Sequence, residues 1–296
     1  MKNETALKAT TSKDLFSQDN VKNKFKELLG KKAQGFLTSV LQIISSNDLL
    51  AKADPYSIYN VAVVAAVLDL PLNNNLGFAY IIPYGAKQAD GSFKQVAQFQ
   101  MGYKGFIQLA QRTGLFKTIS ASPIYEGQLV ESNPLTGYKF DFSLKKSDMV
   151  IGYAGYFSLL NGFEKTLFLT VDELKKHGKN YSQTFRKGYG LWESNFDAMA
   201  TKTVIKLLLS KFAPLSIEMQ KAVITDQAII NDEEATDVSY VDNSIDEATV
   251  DKEGERVRLM IEDAKTLEEL ESLQEHVEVD QLDLYKTKEA QLKKKK

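Results

Sequence analysis

The segment VIGYAGYFSLLNGFEKTLFLT, residues Val150–Thr170, carries the clearest local fold signal in the chain. Two runs rich in β-branched and aromatic residues flank Asn161-Gly162, a dipeptide that favours a two-residue type I′ turn. The segment therefore predicts a β-hairpin in which Ser158 lies opposite Lys165. We expect this hairpin to belong to a small antiparallel sheet.

The sequence that follows the hairpin predicts a short helix and then a loop. Thr170 and Glu173 form a capping-box pattern at the start of the helix, and Gly178 is placed to end it after His177. Residues Lys179–Gly190 are rich in basic, aromatic and glycine residues. We predict that they form a basic loop.

The remaining elements are helices mixed with short strands. Apolar spacing, caps and breakers predict helices over 19–30, 31–46, 54–68, 102–113, 194–212 and 216–230, and strands over 78–83, 93–101 and 116–124. Asp90-Gly91 marks the turn of a hairpin between the first two of these strands. The pattern predicts an α+β fold with a helical N-terminal part, a small antiparallel sheet and long helices.

The net charge of −2 conceals a marked asymmetry along the 296-residue chain. Residues 1–221 hold 27 Lys and Arg against 18 Asp and Glu, whereas residues 222–296 hold 10 against 21. A basic body with an acidic tail suggests a polyanion-binding domain joined to a different module. Ordinary solvated surface charge explains the asymmetry equally well.

Composition divides the chain into four parts. Residues 1–18 are predicted to be disordered, residues 19–231 to form the core, and residues 232–252 to form an acidic linker. Residues 253–296 should form a small helical interaction module, with helices over 253–264, 267–277 and 280–292. No apolar run is long enough to span a membrane and no signal peptide is evident, so we expect a cytoplasmic protein.

The chain lacks the residues that several classes of enzyme need for catalysis. The absence of cysteine excludes disulfides, thiolate metal sites and a cysteine nucleophile, and His177 and His276 lie far apart. No phosphate-binding P-loop motif is present, which argues against an ATP-driven motor. Glu173-Leu174-Lys175 fits half of a metal-dependent nuclease motif that Asp141 or Asp148 would complete, but Glu173 already has a capping role. We therefore expect no catalytic residue, metal or cofactor.

The predicted helix over 194–212 carries a narrow polar stripe on an otherwise apolar cylinder. Lys202 and Lys206 lie one turn apart on this stripe. If the rest of the helix is buried, the stripe is its only solvated side and could bind phosphates. The alternative is the solvated edge of a core helix.

Two further groups of residues suit a nucleic acid. The helix over 102–113 places a polar face opposite an apolar one, and the segment after Thr170 mixes cations with aromatic rings, the combination that binds single strands. The alternative for the second group is core aromatic residues beside surface lysines. The candidate DNA-binding residues of the two groups are Tyr103, Lys104, Gln111 and Arg112, and Lys175, Lys179, Tyr181, Arg186, Lys187 and Trp192.

Four segments resemble, in this order, those of the RecT family of phage annealing proteins. They are LPLNNNLGFAYIIPYG (Leu70–Gly85), QFQMGYKGFIQLAQRTG (Gln98–Gly114), FDAMATKTVIKLLLSKF (Phe196–Phe212) and PLSIEMQKAV (Pro214–Val223). The resemblance spans roughly residues 55–230. Asn74 is a departure, since many members carry proline there.

The resemblance implies an α+β core in which a small sheet and a long helix form a basic groove. It implies a homo-oligomer, a ring or a filament, that holds single-stranded DNA and anneals it through a duplex intermediate without ATP. A phage exonuclease and the host single-strand binding protein are the partners it implies, in the cytoplasm of a bacterial host. A metal-dependent nuclease and a protein-only interaction scaffold remain the alternatives.

Overall fold

The computed structural model describes residues 11–87, 93–240, 261, 266–267 and 282–293. The chain divides into two units, residues 1–242 and 243–296. The first unit begins with helices α1 (Ser12–Ser17), α2 (Asp19–Leu29), α3 (Ala33–Ser45), α4 (Asp48–Ala51) and α5 (Pro55–Val67), with a 3₁₀ turn, Gly30–Lys32, between α2 and α3.

Helix α5 is the centre of this helical part. It starts as predicted, with the Asp54 side chain accepting a hydrogen bond from the backbone N–H of Tyr56 and with Pro55 in the first turn. Every residue from Ser57 to Ala66 is buried. A helix that is apolar on all sides is stable only when other elements surround it.

The prediction that residues 1–18 are disordered is wrong for the part of this segment that the structure describes. Thr11 caps α1 by accepting a hydrogen bond from the backbone N–H of Asp14. Leu15 and Phe16 are buried, and the Phe16 ring lies 6.0 Å from that of Phe25. The polar composition conceals two apolar side chains that anchor this short helix to the core.

A β-hairpin and a helix follow, as predicted. Strands β1 (Ala79–Lys87) and β2 (Phe93–Met101) pair antiparallel, and helix α6 (Tyr103–Arg112) comes directly after them. The predicted turn at Asp90-Gly91 lies outside the described residues. The apolar face of α6, which includes Phe106 and Leu109, is buried. Its polar face is therefore left toward solvent.

The next strands are β3 (Phe116–Tyr125), β4 (Leu129–Asn133), β5 (Gly137–Phe140), β6 (Val150–Leu159) and β7 (Glu164–Thr170). Strands β3, β6 and β7 form an antiparallel sheet in the order β3-β6-β7. Strands β4 and β5 form a separate hairpin that the sequence analysis missed.

The β6–β7 hairpin confirms the predicted pairing but not the predicted register. Ser158 lies opposite Glu164, not Lys165. Gly162 adopts a positive φ of 88°, while Asn161 does not, so the loop is not a type I′ turn. The connection is one residue longer than predicted, which shifts every pair along the hairpin by one position.

The last elements of the first unit are α7 (Val171–Tyr181), α8 (Gln183–Arg186), α9 (Leu191–Ser194), α10 (Phe196–Phe212), α11 (Ile217–Thr225), β8 (Ile229–Ile230) and β9 (Val238–Ser239). Helix α10 packs against β6, β3, β7 and α6. It therefore joins the three-stranded sheet to the rest of the unit.

Three predicted boundaries in this part are wrong. Helix α7 continues through Gly178, and α8 occupies part of the predicted 179–190 loop. Helix α11 ends at Thr225 because the chain then turns toward β2. Gln227, which lies in this turn, adopts a positive φ. The segment 232–240, predicted as linker, folds back so that β9 pairs with β8.

The second unit contains helix α12 (Leu282–Lys293), which confirms the predicted helix over 280–292. The predicted helices over 253–264 and 267–277 lie almost entirely outside the described residues. Within the ranges that the structure describes, no helix has the length and apolarity needed to cross a membrane.

Candidate nucleic-acid interface

A cavity of about 210 Å³ lies where the β1–β2 hairpin, the start of α6 and the α9–α10 segment meet. Its wall combines aromatic, amide, apolar and cationic side chains. The lining includes Tyr80, Gln100, Tyr103, Leu191, Asn195 and Lys202. Rings and hydrogen-bonding groups around one opening suit a ligand with both flat faces and polar edges.

A close backbone contact fixes the mouth of this cavity. A Cβ atom on Gly102 would lie 2.0 Å from the carbonyl oxygen of Gly77, so only glycine fits there. A Cβ atom on Gly77 would lie 3.3 Å from the Tyr80 hydroxyl oxygen and 3.6 Å from Cδ of Lys104. The Tyr80 ring, the first turn of α6 and the Lys104 stem are therefore held together.

Tyr80 remains an uncharged phenol at neutral pH. Burial, and secondarily the nearby Tyr103, raise the pKa of Tyr80 above its ordinary value. Its hydroxyl can therefore donate a hydrogen bond, and its ring offers a neutral face. Tyr103 is half-buried, so part of its ring stays accessible from the cavity.

Lys202, which lines the cavity, belongs to a buried charge network. Lys202 Nζ donates to Asp226 Oδ1 at 2.9 Å, and Lys206 Nζ donates to Asp226 Oδ2 at 2.7 Å. The backbone N–H of Met101 also donates to Asp226 Oδ1, at 2.8 Å. Burial alone would raise the pKa of Asp226, but the two ammonium groups outweigh it and lower that pKa. Burial also lowers the pKa of Lys202, and the neighbouring Asp226 carboxylate opposes that shift.

This network corrects the prediction for helix α10. The stripe with Lys202 and Lys206 is not the solvated side of the helix, because Lys202 is only 7% exposed and both ammonium groups bind Asp226. The periodicity correctly identified two lysines on one face. Asp226, which lies 20 or more residues away in the sequence, binds both lysines and makes that face part of an interior contact.

Arg112 also makes structural contacts. Its Nη1 and Nη2 donate to the carbonyl oxygens of Leu68 and Asp69, both at 2.7 Å, and thereby satisfy the C-terminal end of α5. Lys104 and Gln111, on the same polar face of α6, are exposed. Unlike Arg112, Lys104 donates no hydrogen bond to a carbonyl group of the described residues.

The basic segment over α7–α9 borders the cavity from the other side. Leu191 and Asn195 line it, and the Tyr84 hydroxyl donates to Gln183 at 3.0 Å, which ties α8 to β1. The predicted cations and ring on this segment that are exposed are Lys175, Lys179, Tyr181, Arg186 and Lys187. Arg186 also donates to the carbonyl groups of Lys179 and Asn180, at 3.0 and 3.2 Å.

Trp192 lies in the interior. It is 5% exposed and packs with Tyr153, Leu174 and Met199 in a small apolar cluster. Its ring centroid is 5.7 Å from that of Phe185. For Trp192 the alternative of a core aromatic residue holds, because α7, α8 and α9 fold around the indole. Trp192 therefore presents no free face for a base.

The sequence profile of the RecT family matches residues 34–240. This chain belongs to the RecT family. It is 50% identical over 215 residues to the uncharacterized protein YqaK of Bacillus subtilis (strain 168). This match covers 72% of this chain and 71% of that protein. It is 30% identical over 190 residues to Protein RecT of Escherichia coli (strain K12). This match covers 60% of this chain and 65% of that protein. Family membership supports a role in DNA recombination and annealing.

The family match contains the cavity, the charge network and the basic segment, since residues 34–240 include all of them. Sequence reasoning alone missed Tyr80, Gln100 and Asn195, which line the cavity with the predicted Tyr103. Tyr80 lies within an apolar strand pattern, where a strand residue gives no sign of its neighbours. Asp226 was also missed, because no spacing rule connects it with α10.

The nuclease motif considered for this RecT-family chain is occupied by structural contacts. Glu173 accepts hydrogen bonds from the backbone N–H and hydroxyl of Thr170, both at 2.8 Å, which confirms the capping box. Asp148 pairs with Lys145 at 2.6 Å, and Asp141 accepts hydrogen bonds from Ser143. Among the described residues, no three His, Asp or Glu side chains converge as metal ligands would.

Proposed function

We propose that this RecT-family chain binds single-stranded DNA and anneals it to a complementary strand without hydrolysing a nucleotide. The observation that carries the proposal is the cavity that Tyr80, Tyr103 and Lys202 line together, with exposed Lys104 next to Tyr103 in the chain. Aromatic faces next to positive charge are the features by which proteins hold a single strand independently of its sequence.

The proposed role of each side chain in binding the strand follows from its exposure to solvent. Lys104 on helix α6, and Lys175, Lys179 and Lys187 on the basic segment, are exposed and can neutralise phosphates. Tyr103 and Tyr80 face the cavity and can stack against bases. Stacking uses the face of a base, so the Watson–Crick edge of that base stays free for pairing.

Annealing then needs no chemical step by the protein. Two strands repel each other through their phosphates, and exposed lysines reduce that repulsion by replacing condensed counterions. Base pairing itself supplies the free energy that drives the reaction forward.

The proposal extends to assembly and partners. We propose a homo-oligomer that lies along DNA in the cytoplasm of a bacterial host, encoded by a phage or prophage. Residues 253–296 would engage a protein partner, with a phage exonuclease and the host single-strand binding protein as the candidates. The charge of the tail region fits a part that does not bind DNA, because residues 222–296 hold 21 acidic against 10 basic side chains.

An annealing assay tests the proposal directly. Two complementary labelled oligonucleotides are mixed with the purified full chain, with and without magnesium and with no nucleotide added, and the products are separated on a native and a denaturing gel. Duplex formed faster than in the protein-free control, with both strands intact, is the expected result. Magnesium-dependent shortening would indicate a nuclease instead, and inertness would indicate a protein-only scaffold.

A matched pair of variants connects the result to the cavity. Lys104→Ala should slow annealing and weaken strand binding, because Lys104 is exposed beside Tyr103. Lys13→Ala removes an equally exposed lysine from α1 and should leave both unchanged. Equal losses for the two variants would mean that binding depends on overall charge and not on this cavity.

A further inference from the structure

A second cavity, of about 450 Å³, lies at the other end of helix α6. Helices α2 and α3 and the turn that follows α5 enclose it. Gln108 and Arg112 line it from α6, Lys32 and Phe36 from the N-terminal part, and Asp69 and Leu76 from the turn. Its volume lies within the range of small-molecule sites, which is roughly 300–1,000 Å³.

The polar face of α6 connects this cavity to the first one. Tyr103 lines the first cavity, Gln108 and Arg112 line the second, and exposed Lys104 lies one turn before Gln108 on the same face. The helix is about 15 Å long at 1.5 Å per residue. At about 3.4 Å per nucleotide along one strand, that length corresponds to roughly four nucleotides.

Charge and hydrogen bonding preorganise the second cavity. Lys32 Nζ donates to both carboxylate oxygens of Asp69, at 3.0 and 2.8 Å, and Arg112 Nη2 lies 3.9 Å from the same carboxylate. Two cations thus face one anion. Asp69 adopts a φ of 46°, a conformation uncommon for a residue with a side chain, and the carbonyl contacts of Arg112 hold it there.

The remaining lining suits a flat, polar-edged group. The Phe36 ring is half-buried and Leu76 adds apolar surface. The side-chain amide of Gln108 has no hydrogen-bond partner among the residues that the structure describes, and it offers both a donor and an acceptor. A nucleobase has this combination of an apolar face and a hydrogen-bonding edge, and the phosphate beside it would find the side chain of Lys32.

We infer that a single DNA strand bound in the first cavity continues along α6 and places a nucleotide in this second cavity. The inference rests on the proposed function and adds a subsite to it. The contact would matter only for strands long enough to reach along α6 from Tyr103 toward Arg112. Shorter strands would occupy the first cavity alone.

Gly35 provides a way to fill the second cavity without disturbing the fold. It lines the cavity from α3, and a Cβ atom built on it meets no heavy atom within 4 Å. Gly35→Leu would place four carbons in the open space, whereas the matched control Gly35→Ala adds one. Both changes favour the helix, because glycine in a helix interior is destabilising relative to alanine.

The test is a length series of labelled oligothymidylates, increased by two nucleotides at a time, bound to the full chain and followed by fluorescence anisotropy. The chain and Gly35→Ala should gain affinity once the strand is long enough to reach along α6. Gly35→Leu should bind the shortest strands equally and lose at least about fivefold in affinity for the longer ones. Gln108→Ala should give a smaller loss with the same length dependence.

The outcomes separate this inference from the proposed function. If the unmodified chain binds strands of every length and Gly35→Leu binds them identically, the second cavity is not a DNA subsite and the inference fails alone. A Gly35→Leu loss that is the same for all lengths would also overturn it, because the subsite can affect only long strands. If the unmodified chain binds no single strand, the proposed function itself fails.

Discussion

Replacing Asp226 by asparagine would leave buried Lys202 and partly buried Lys206 without a counter-charge. The carboxylate is completely buried and accepts hydrogen bonds from Lys202, Lys206 and the backbone N–H of Met101. Asparagine has nearly the same shape, so the substitution removes charge and little volume. We expect Asp226→Asn to destabilise the first unit strongly.

The magnitude follows from the loss of one partner of a buried ion pair, which costs about 3–5 kcal/mol. For a folded unit of this size, about 2–4 °C of melting temperature corresponds to each kcal/mol, so the expected decrease is roughly 6–20 °C. The lowered pKa of Asp226 sets the pH range. Its stabilisation is present above the ordinary value of 3.8 and is lost as the pH falls through the lowered pKa.

Urea unfolding followed by circular dichroism at neutral pH measures this loss. Asp148→Asn is the matched control, because it removes an exposed carboxylate that is paired with Lys145 and should leave the free energy of unfolding nearly unchanged. Combining Asp226→Asn with Lys206→Met should cost less than the two separate effects added together, since one uncompensated charge is then absent. An Asp226→Asn chain within about 1 kcal/mol of the unmodified chain would refute this account of the network.

Four further predictions concern DNA binding, pH and domain organisation. In a salt titration, Lys104→Ala should lower the slope of log affinity against log salt by roughly 0.7. Lys206→Ala should leave that slope unchanged, because Asp226 already binds Lys206. Equal slopes for the two variants would contradict this. Tyr103→Ala should weaken single-strand binding by about 1–3 kcal/mol in an anisotropy titration without changing the melting temperature. Burial lowers the pKa of His177 from 6.5 to about 4, so stability should fall as the pH decreases through that interval, and His177→Gln should reduce the fall in urea unfolding. Ending the chain before Asn243 should spare annealing in vitro but impair recombination in cells, and loss of both would place the tail in the annealing machinery.

Local patterns in the sequence predicted most elements and the α+β class correctly. Helix α5 was found through its cap and proline, and helix α6 through its apolar and polar faces. The β6–β7 hairpin was found through its glycine turn, but the register was not, since a change of one residue in loop length is invisible to alternation. Local signals identify an element more reliably than they position it.

The candidate site was predicted less completely, because it depends on contacts between distant residues. Tyr103 and Lys104 were identified from their own helix. The roles of Lys202 and Lys206 were not, because Asp226, on a turn after α11, determines whether those lysines face solvent. Trp192 was assigned to a loop because its glycine-rich neighbourhood conceals three short helices that bury the ring.

The charge network also bears on which lysines can respond to DNA. A lysine that releases counterions when a phosphate arrives must have its ammonium group in solvent beforehand, and Lys202 and Lys206 are instead bound to a buried carboxylate. For a phosphate to bind either lysine, it would have to replace the hydrogen bond between that lysine and the buried Asp226 carboxylate. The salt dependence of binding should therefore come from exposed cations such as Lys104 and Lys187. We expect the network to keep its hydrogen bonds when the strand binds.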